Sequence, residues 1–366
     1  MKLSEKFAWY LNALKHNLND VKAARNLFVA ITFIKLMAFI FITNTNYWFF
    51  REATDANLYD SMARGEYVWP HTWGDFLKNL NNLGLYSRSS LAAIIFFMHC
   101  TLVPWLLAHI CFGRRRLNAV NWYMLSFMVA YPTMFIFSTD IFRDTPMVIL
   151  FLLYAYGVMY FLNRSVGEWH FWAGIFYLLI VVISGYLLYK LRFYLALAMF
   201  FSIVLAYVVD LKRLSWLYVA LYFLVLFVAD YFGVFDYLKG SYRLEYADAG
   251  SAYGIDYSEG FFLLNYAQSF VYNVFGFFVY DKISLLVFLL ESIPLTIWAI
   301  YVYINRKYSS RCVGFFVCFF FVYAAFWVVG TDALGTAVRY RIFNYLSLAI
   351  AASLVYQSVE GCRKAY

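Results

Sequence analysis

The chain alternates long apolar runs with short polar and charged segments. Ten of the runs are long enough to cross about 30 Å of hydrocarbon as α-helices. They fall at residues 26–43, 90–112, 118–137, 145–162, 170–189, 194–210, 214–235, 283–304, 312–330 and 342–358. A further apolar stretch, 261–280, contains Asn265, Gln268, Asn273 and Gly276, so it is either another span or a re-entrant helix. The pattern predicts an all-α, polytopic transmembrane helix bundle of about ten spans.

Composition supports this prediction. Hydrophobic residues make up 64% of the chain and charged residues 14%, whereas soluble domains are about 45–50% apolar and about 25% charged. No polar stretch is long enough to fold by itself in water, so residues 1–366 are expected to form a single membrane domain. Residues 1–25 are polar and basic, which predicts a cytoplasmic segment and not a cleavable signal peptide.

The basic clusters predict the orientation. If the N-terminus is cytoplasmic, ten spans place the short Lys and Arg clusters of the later loops inside, as the positive-inside rule requires. Both termini are then cytoplasmic, and 44–89 and 236–282 become long extracytoplasmic loops. Counting 261–280 as a span would move the last two clusters outside, which favours the re-entrant alternative. The net charge of +8 therefore indicates membrane topology and not nucleic-acid binding.

The first long loop contains a dense polar motif, TDANLYDSMARGEY, at residues 54–67. If this motif is helical, Asp55 and Tyr59 lie on one face, and Asp60 adds a second carboxylate. Paired carboxylates near a dry cleft suit acid–base chemistry, because one of them can have a raised pKa. The alternative is a solvated helix whose acids pair with neighbouring arginines such as Arg64.

A second polar motif joins two apolar runs at residues 131–146. It presents Asp140, Arg143 and Asp144 close to the hydrocarbon, where charges are costly unless they are paired or functional. The alternative is an Arg143 salt bridge that holds the hairpin together.

Four arginines are predicted on the outer face against the positive-inside trend: Arg192, Arg243, Arg339 and Arg341. A guanidinium group suits phosphate oxygens, so the set predicts binding of a phosphate or pyrophosphate group. For Arg192, a side chain that snorkels to the membrane interface is favoured.

Two ionisable residues fall inside predicted spans. Lys35 and Glu291 are expected to face the bundle interior, where they either pair with each other or serve a function. The scattered histidines are interpreted as interfacial or core residues. The chain has no Walker loop and no Rossmann glycine pattern, so no nucleotide site is predicted.

The order of these motifs resembles that of known membrane enzymes. An acidic D-x3-Y motif in the first outer loop, the YP…FST…RD hairpin and a late outer GT…R…R turn are similar to multispan glycosyltransferases of the GT-C type. The layout also resembles O-antigen and capsule repeat-unit polymerases (the Wzy group and its EpsG-like branch). Many GT-C enzymes are longer and end in a soluble outer domain. The short length of this chain and the absence of such a domain from it favour the polymerase branch, whereas the RD hairpin favours the other.

The resemblance implies roles for particular residues. Asp55 corresponds to the catalytic base, or Asp60 if the register differs, with Tyr59 beside it. Arg339 and Arg341 correspond to arginines that hold the polyprenyl phosphate. Arg243 and Gly254 match an Arg-x10-Gly pattern of the polymerases. Arg143 is expected to join the phosphate-binding set, with Asp140 and Asp144 in support.

The implied function is transfer of a sugar or repeat unit from a polyprenyl (pyro)phosphate donor to a glycan acceptor, at the outer face of a bacterial inner membrane. The implied partners are the donor, the acceptor, the lipid bilayer and other polysaccharide-assembly proteins. No cofactor is required by the motifs, and the question of a metal stays open because carboxylates alone suit Mg²⁺ or Mn²⁺. The alternative is a flippase or transporter of lipid-linked oligosaccharides, which would place its polar groups on broken helices near the midplane.

Overall fold

The computed structural model describes residues 20–45, 55–68, 71–113, 117–163, 170–213, 216–236, 255, 257, 260–279, 281–329, 331 and 334–364. Within these ranges 84% of the residues are helical and none is in a strand. The prediction of an all-α fold is therefore confirmed.

The chain divides into two compact units. The first contains the described residues of Met1–Tyr131 together with Phe135–Leu152, and the second contains Pro132–Met134 and the described residues of Leu153–Tyr366.

The described residues of the first unit form five helices, the end of a sixth and the start of a seventh. They are α1 (Val21–Thr45), α2 (Asp55–Arg64), α3 (Thr72–Asn82), α4 (Arg88–Phe112), α5 (Ala119–Val129), α6 (Pro132–Ile136) and α7 (Asp144–Leu162). Helix α6 begins in the second unit, and α7 ends there. Polar residues start several of these helices: Ser87 accepts from the Ser90 amide and Asn118 from the Asn121 amide, as N-cap residues do.

The second unit contains the later helices. They are α8 (Phe171–Leu191), α9 (Phe193–Val208), α10 (Trp216–Tyr231), α11 (Phe262–Ser269), α12 (Lys282–Val287), α13 (Ile293–Ile304), α14 (Arg311–Trp327) and α15 (Leu334–Lys364). A π-helical turn, Phe270–Val274, extends α11, and a second one, Phe288–Ser292, joins α12 to α13. The core of the second unit lies where α14 packs against α9 and α15. Small residues there, such as Ala349, Ala351 and Ala352, are fully buried and let the helices approach closely.

Among the described residues, six helical segments are long and apolar enough to cross a membrane: Val21–Thr45, Arg88–Phe112, Asp144–Leu162, Phe171–Leu191, Ser284–Ile304 and Gly335–Cys362. Four of the predicted spans instead correspond to apolar helices of 10–17 residues. At 1.5 Å per residue, a 17-residue helix is about 25 Å long, slightly less than the thickness of the hydrocarbon. The protein is thus membrane-embedded and all-helical, and the number of spans stays a prediction.

Helix α1 has the surface of a lipid-facing span. Its buried residues are Ala24 and Lys35, while Phe33, Ile34 and Phe41 are more than half exposed. A water-soluble helix would bury its apolar face and expose its lysine. The reverse arrangement is typical of a membrane helix, in which an ionisable residue faces the protein.

Lys35 does not need Glu291 as its partner. Its ammonium group lies 3.0 Å from Nε2 of His99 and donates to the carbonyl of Val129, the last residue of α5. That carbonyl is free because the helix is interrupted before Pro132, whose ring cannot continue the hydrogen-bond ladder. A cation at the C-terminus of a helix is favoured by the helix dipole.

Glu291 has its own partners in the second unit. It accepts from the amide and the hydroxyl of Thr133, at 2.9 and 2.5 Å, and from Nη2 of Arg341 at 3.1 Å. Lys35 and Glu291 therefore each have polar partners within their own unit.

Candidate functional site

Most of the acidic motif of the first loop is helical, since Asp55–Arg64 form α2. Ala56, Tyr59, Asp60 and Ala63 make up one buried stripe, with the i, i+3, i+4, i+7 spacing of an amphipathic helix. Asp55 is half-buried in the first turn and Arg64 lies in the last, the placement that the helix dipole favours. Asp55 and Tyr59 are therefore one turn apart on the same side of α2.

Asp60 is surrounded by donors. Its Oδ2 accepts from Nη2 of Arg64 at 2.8 Å and lies 3.7 Å from Nη1 of Arg88. Its Oδ1 accepts from the Tyr86 hydroxyl at 2.6 Å. With both oxygens engaged, Asp60 suits a structural role better than proton transfer.

Arg88 links the two polar motifs. Besides its contact with Asp60, it holds Asp140 in a bidentate pair, Nε to Oδ1 at 3.1 Å and Nη2 to Oδ2 at 2.5 Å. Arg88 is the first residue of α4, and Asp140 lies four residues before the start of α7. The cluster therefore sits where two membrane-crossing helices begin at the same end.

Local hydrogen bonds shape the turn that carries Asp140. The hydroxyls of Ser138 and Thr139 donate to the carbonyls of Phe135 and Ile136, at 2.6 and 2.7 Å, and so cap the end of α6. Asp140 then accepts from the Ile141 amide at 2.8 Å. The indole of Trp73 donates to the carbonyl of Ile141 at 2.8 Å, which fastens α3 to this turn.

His71 connects α2 to Arg143. The imidazole is 5.1 Å from the ring of buried Tyr59, centroid to centroid, and Nη1 of Arg143 lies 2.8 Å from its Nε2. Arginine only donates hydrogen bonds, so Nε2 accepts and a neutral His71 carries its proton on Nδ1. The amide of Gly74, at 3.4 Å from Nδ1, is then a close neighbour and not a true hydrogen-bond donor.

These contacts separate the acidic side chains into two groups. Asp60 and Asp140 are held by Arg64, Arg88 and Tyr86. Asp55 belongs to the second group, which is connected to Arg143 through Tyr59 and His71. Asp144, fully buried in the first turn of α7, is placed to favour that helix N-terminus.

Tyr86 is kept in its protonated form. Burial, followed by the hydrogen bond to Asp60, raises the pKa of this phenol above its usual range. It therefore stays a hydrogen-bond donor to Asp60 at neutral pH.

The Asp60–Asp140 pair does not fit a divalent metal ion. The guanidinium of Arg88 lies between the two carboxylates and already supplies the positive charge that bridges them. No step of the chemistry proposed below therefore passes through a metal.

In the second unit Arg341 is almost fully buried. It is 1% exposed, as is its partner Glu291, and its Nη1 donates to the Ser292 hydroxyl at 3.0 Å. Gly276 packs against both groups: a Cβ there would clash with Ser292 Oγ and Arg341 Nη1. With a φ of +66°, this position requires glycine twice over.

The other predicted arginines differ in their surroundings. Arg339 is half-buried near the start of α15. Arg192 is 4% exposed and lies 4.3 Å from the ring centroid of Tyr340, so the prediction that it snorkels is wrong: the aromatic ring gives the cation a favourable place inside the protein. Arg243 and Gly254 lie outside the described residues.

The sequence predicted the acids and the alternative in which Arg64 pairs with them, and Arg64 does pair with Asp60. Arg88, Tyr86 and His71 were not predicted to be functional. A signal for Arg88 was present, because it follows Ser87 at the exposed start of an apolar run, where an arginine in a predicted outer loop needs an anionic partner.

Comparisons of the chain with models of protein families, with curated proteins and with solved structures find no match.

Proposed function

We propose that the protein is a membrane-embedded glycosyltransferase that transfers a sugar or repeat unit from a polyprenyl (pyro)phosphate donor to a hydroxyl group of a glycan acceptor. The observation that carries the proposal is the meeting of the two polar motifs in one unit. Asp55 and Arg143, which are 88 positions apart in the numbering, approach each other through Tyr59 and His71. A carboxylate and a guanidinium near the end of membrane helices suit a reaction at a lipid phosphate.

In this proposal Asp55 is the general base. It accepts the proton of an acceptor hydroxyl, whose oxygen attacks the anomeric carbon of the donor sugar. The bond between that carbon and the phosphate oxygen breaks, and the electron pair leaves with the phosphate. A single displacement of this kind inverts the anomeric configuration. Asp60 and Asp140 position the surrounding helices through Arg88.

The leaving phosphate needs positive charge. Arg143, which contacts His71 beside Tyr59, offers guanidinium donors that can stabilise the developing negative charge. In the second unit half-buried Arg339 is the candidate for contact with the carrier phosphate. Arg341, which is held by Glu291 and Ser292, is better suited to fix the nearby backbone. Arg243 and Gly254 complete the proposed set.

The proposed membrane arrangement follows the charge pattern: about ten spans, cytoplasmic termini, and the site on the extracytoplasmic face of a bacterial inner membrane. A re-entrant helix is proposed for α11 and its π-helical extension. The segment ends at buried Val274, next to buried Asn273, and the chain turns at Gly276, where it leaves its helical path inside the protein. This favours a helix that enters the membrane over one that crosses it.

The experiment is the glycan profile of cells whose own gene is deleted and replaced by Asp55→Asn. A polymerase predicts loss of long glycan chains while single repeats are retained, and a single-sugar transferase predicts normal lengths that lack one sugar. Loss of a general base should slow transfer by about 10²–10⁴-fold. Asp75→Asn is the matched control, because Asp75 is an exposed aspartate of neighbouring α3 and should leave the profile normal. An unchanged profile for Asp55→Asn at normal expression would contradict the proposal.

A transporter of lipid-linked sugars is the second candidate. It is favoured by the interrupted helix between Val129 and Pro132 and by buried Lys35, since transporters use broken helices and ionisable groups inside the membrane. For a flippase, deletion of the gene leaves unmodified lipid-linked repeats on the cytoplasmic side. For the glycosyltransferase, deletion of the gene leaves the lipid-linked donor on the outer face, where it is not consumed.

A further inference from the structure

Lys35 carries an amino group inside the membrane region without an acidic partner in the described part of the chain. Its neighbours are neutral acceptors: the Val129 carbonyl, Nε2 of His99 at 3.0 Å and the ring of Phe135, 5.7 Å from the ammonium to the centroid. The thiol of half-buried Cys100 is the other titratable group in electrostatic contact with it. An ammonium ion is tolerated in this environment, but nothing described neutralises it.

His99 offers a second unusual atom. It is completely buried, and its Nδ1 has no hydrogen-bond partner in the described residues. When Lys35 is charged, it donates to Nε2, so the proton of the neutral imidazole must be on Nδ1. That N–H is a buried donor without an acceptor, which is costly, and it is therefore the natural place for a water molecule to bind.

The 3.0 Å contact allows only one positive charge on the pair, because two like charges at this distance disfavour each other strongly. With only one positive charge on the pair, a proton can pass from Lys35 through the imidazole ring of His99. One proton moves from Nζ of Lys35 to Nε2 of His99, while the Nδ1 proton passes to water. The products are a neutral amine and a neutral imidazole with its proton on Nε2, which now donates back to Nζ. The pair has released one proton, and the reverse sequence takes it up.

We propose that Lys35 and His99 form a proton-binding relay in the membrane region, with Lys35 at one end and Nδ1 of His99 as the point where the proton is exchanged with water. The relay is also tied to the backbone. In its charged state Lys35 caps the C-terminus of α5, and this cap loses its charge when the proton leaves. The inference does not depend on the glycosyltransferase proposal.

The test is ¹⁵N NMR of the full chain, labelled at histidine and held in lipid nanodiscs, across a pH titration. The two tautomers of imidazole have different nitrogen shifts. The relay predicts that His99 carries its proton on Nδ1 at low pH and on Nε2 at high pH. A single tautomer at every pH would overturn the proposal and leave a fixed structural cap.

Two variants make the test specific. Lys35→Arg keeps a cation and its donors but cannot release a proton, so His99 should stay locked with its proton on Nδ1. Tautomer switching that persists in Lys35→Arg would overturn the relay. His99→Gln assigns the signal, since its amide oxygen replaces Nε2 as the acceptor for Lys35 and preserves the fold. The tautomer of His71, set by Arg143, should not respond to Lys35→Arg.

Discussion

Arg88 pairs with two of the acidic side chains near the candidate site. It takes up both Asp60 and Asp140, whose side chains are 12% and 7% exposed. Their charges are thereby stabilised at the end of two membrane helices. Asp55, half-buried in the first turn of α2, is the carboxylate that we propose meets a substrate hydroxyl.

Replacing Arg88 should therefore destabilise the first unit. Arg88→Met leaves two largely buried carboxylates without their shared cation, and we expect a loss of about 3 kcal/mol in the free energy of unfolding. Arg64→Met is the matched control: the Arg64 side chain is 57% exposed, and an exposed ion pair contributes about 0.5 kcal/mol. Chemical unfolding in detergent measures both. Equal losses for the two variants would show that Arg88 is not the organising cation.

Tyr86 gives the site a dependence on alkaline pH. Because its pKa is raised in the folded protein, the folded state holds this proton more tightly than the unfolded chain. Its contribution to stability is complete below the ordinary tyrosine pKa of about 10 and is lost as pH rises above that value. Tyr86→Phe should unfold with a shallower alkaline slope than the wild type. Superimposable pH–stability curves would contradict the raised pKa.

The sequence predicts contacts between residues that are close along the chain, but not contacts between residues that are far apart in it. Helix α2 and the shared face of Asp55 and Tyr59 follow from local spacing, so they were predictable. The contact of Arg88 with Asp140 spans 52 residues, and no local pattern indicates which outer acid an outer arginine will meet. The contact of His71 with Arg143 was not predictable for the same reason, because the two residues are 72 positions apart.

At the scale of elements, the two π-helical turns surround one buried ion pair. Asn273 lies in the first turn and donates to the Thr331 carbonyl at 2.8 Å. Glu291 and Ser292 lie in the second turn and bind Arg341. π-Helical turns are uncommon and occur frequently at functional sites. Here the second turn brings Glu291 and Ser292 to Arg341 of α15.

This ion pair can be tested by double substitution. Arg341→Met alone leaves Glu291 buried and uncompensated, which should cost about 3–5 kcal/mol. Arg341→Met with Glu291→Gln removes both charges while an amide oxygen remains for Thr133, and should recover most of the loss. Unfolding midpoints of the two variants in detergent give the comparison. A double variant as unstable as the single one would rule out a charge-based role.

Substitution of Gly276 tests how tightly the backbone packs against Ser292 and Arg341. Gly276→Ala combines an unfavourable φ with two close contacts, whereas Gly84→Ala has a similar φ of +70° and open space around it. We expect Gly276→Ala to lose clearly more stability than Gly84→Ala, because only the former must displace Ser292 and Arg341. Equal unfolding midpoints would show that these close contacts relax without cost.

At the scale of the whole molecule, the apolar pattern predicted the helices well because every backbone group inside a membrane must be paired within its own helix. The interruption at Pro132 was not predicted, since the apolar run continues through it. Its cause is chemical: the ring of proline ends the ladder, and distant Lys35 and Glu291 supply the missing partners of Val129 and Thr133.

The proposed topology makes a direct prediction for labelling. In a background without the native cysteines, Asp75→Cys should react in intact cells with a membrane-impermeant thiol reagent, and Lys212→Cys should react only after the membrane is opened. Asp75 and Lys212 are both exposed, so access depends on the side of the membrane and not on burial. The opposite pattern would move the candidate site to the cytoplasmic face.

The central claim is that the protein makes a glycosidic bond from a lipid-linked donor. The most direct measurement uses purified protein in liposomes, supplied with a polyprenyl-phosphate-linked sugar and a glycan acceptor, with Asp55→Asn and Asp75→Asn beside the wild type. The account predicts an elongated glycan with inverted anomeric configuration from the wild type and from Asp75→Asn, and almost none from Asp55→Asn. Movement of the donor across the bilayer without any new glycosidic bond would contradict it.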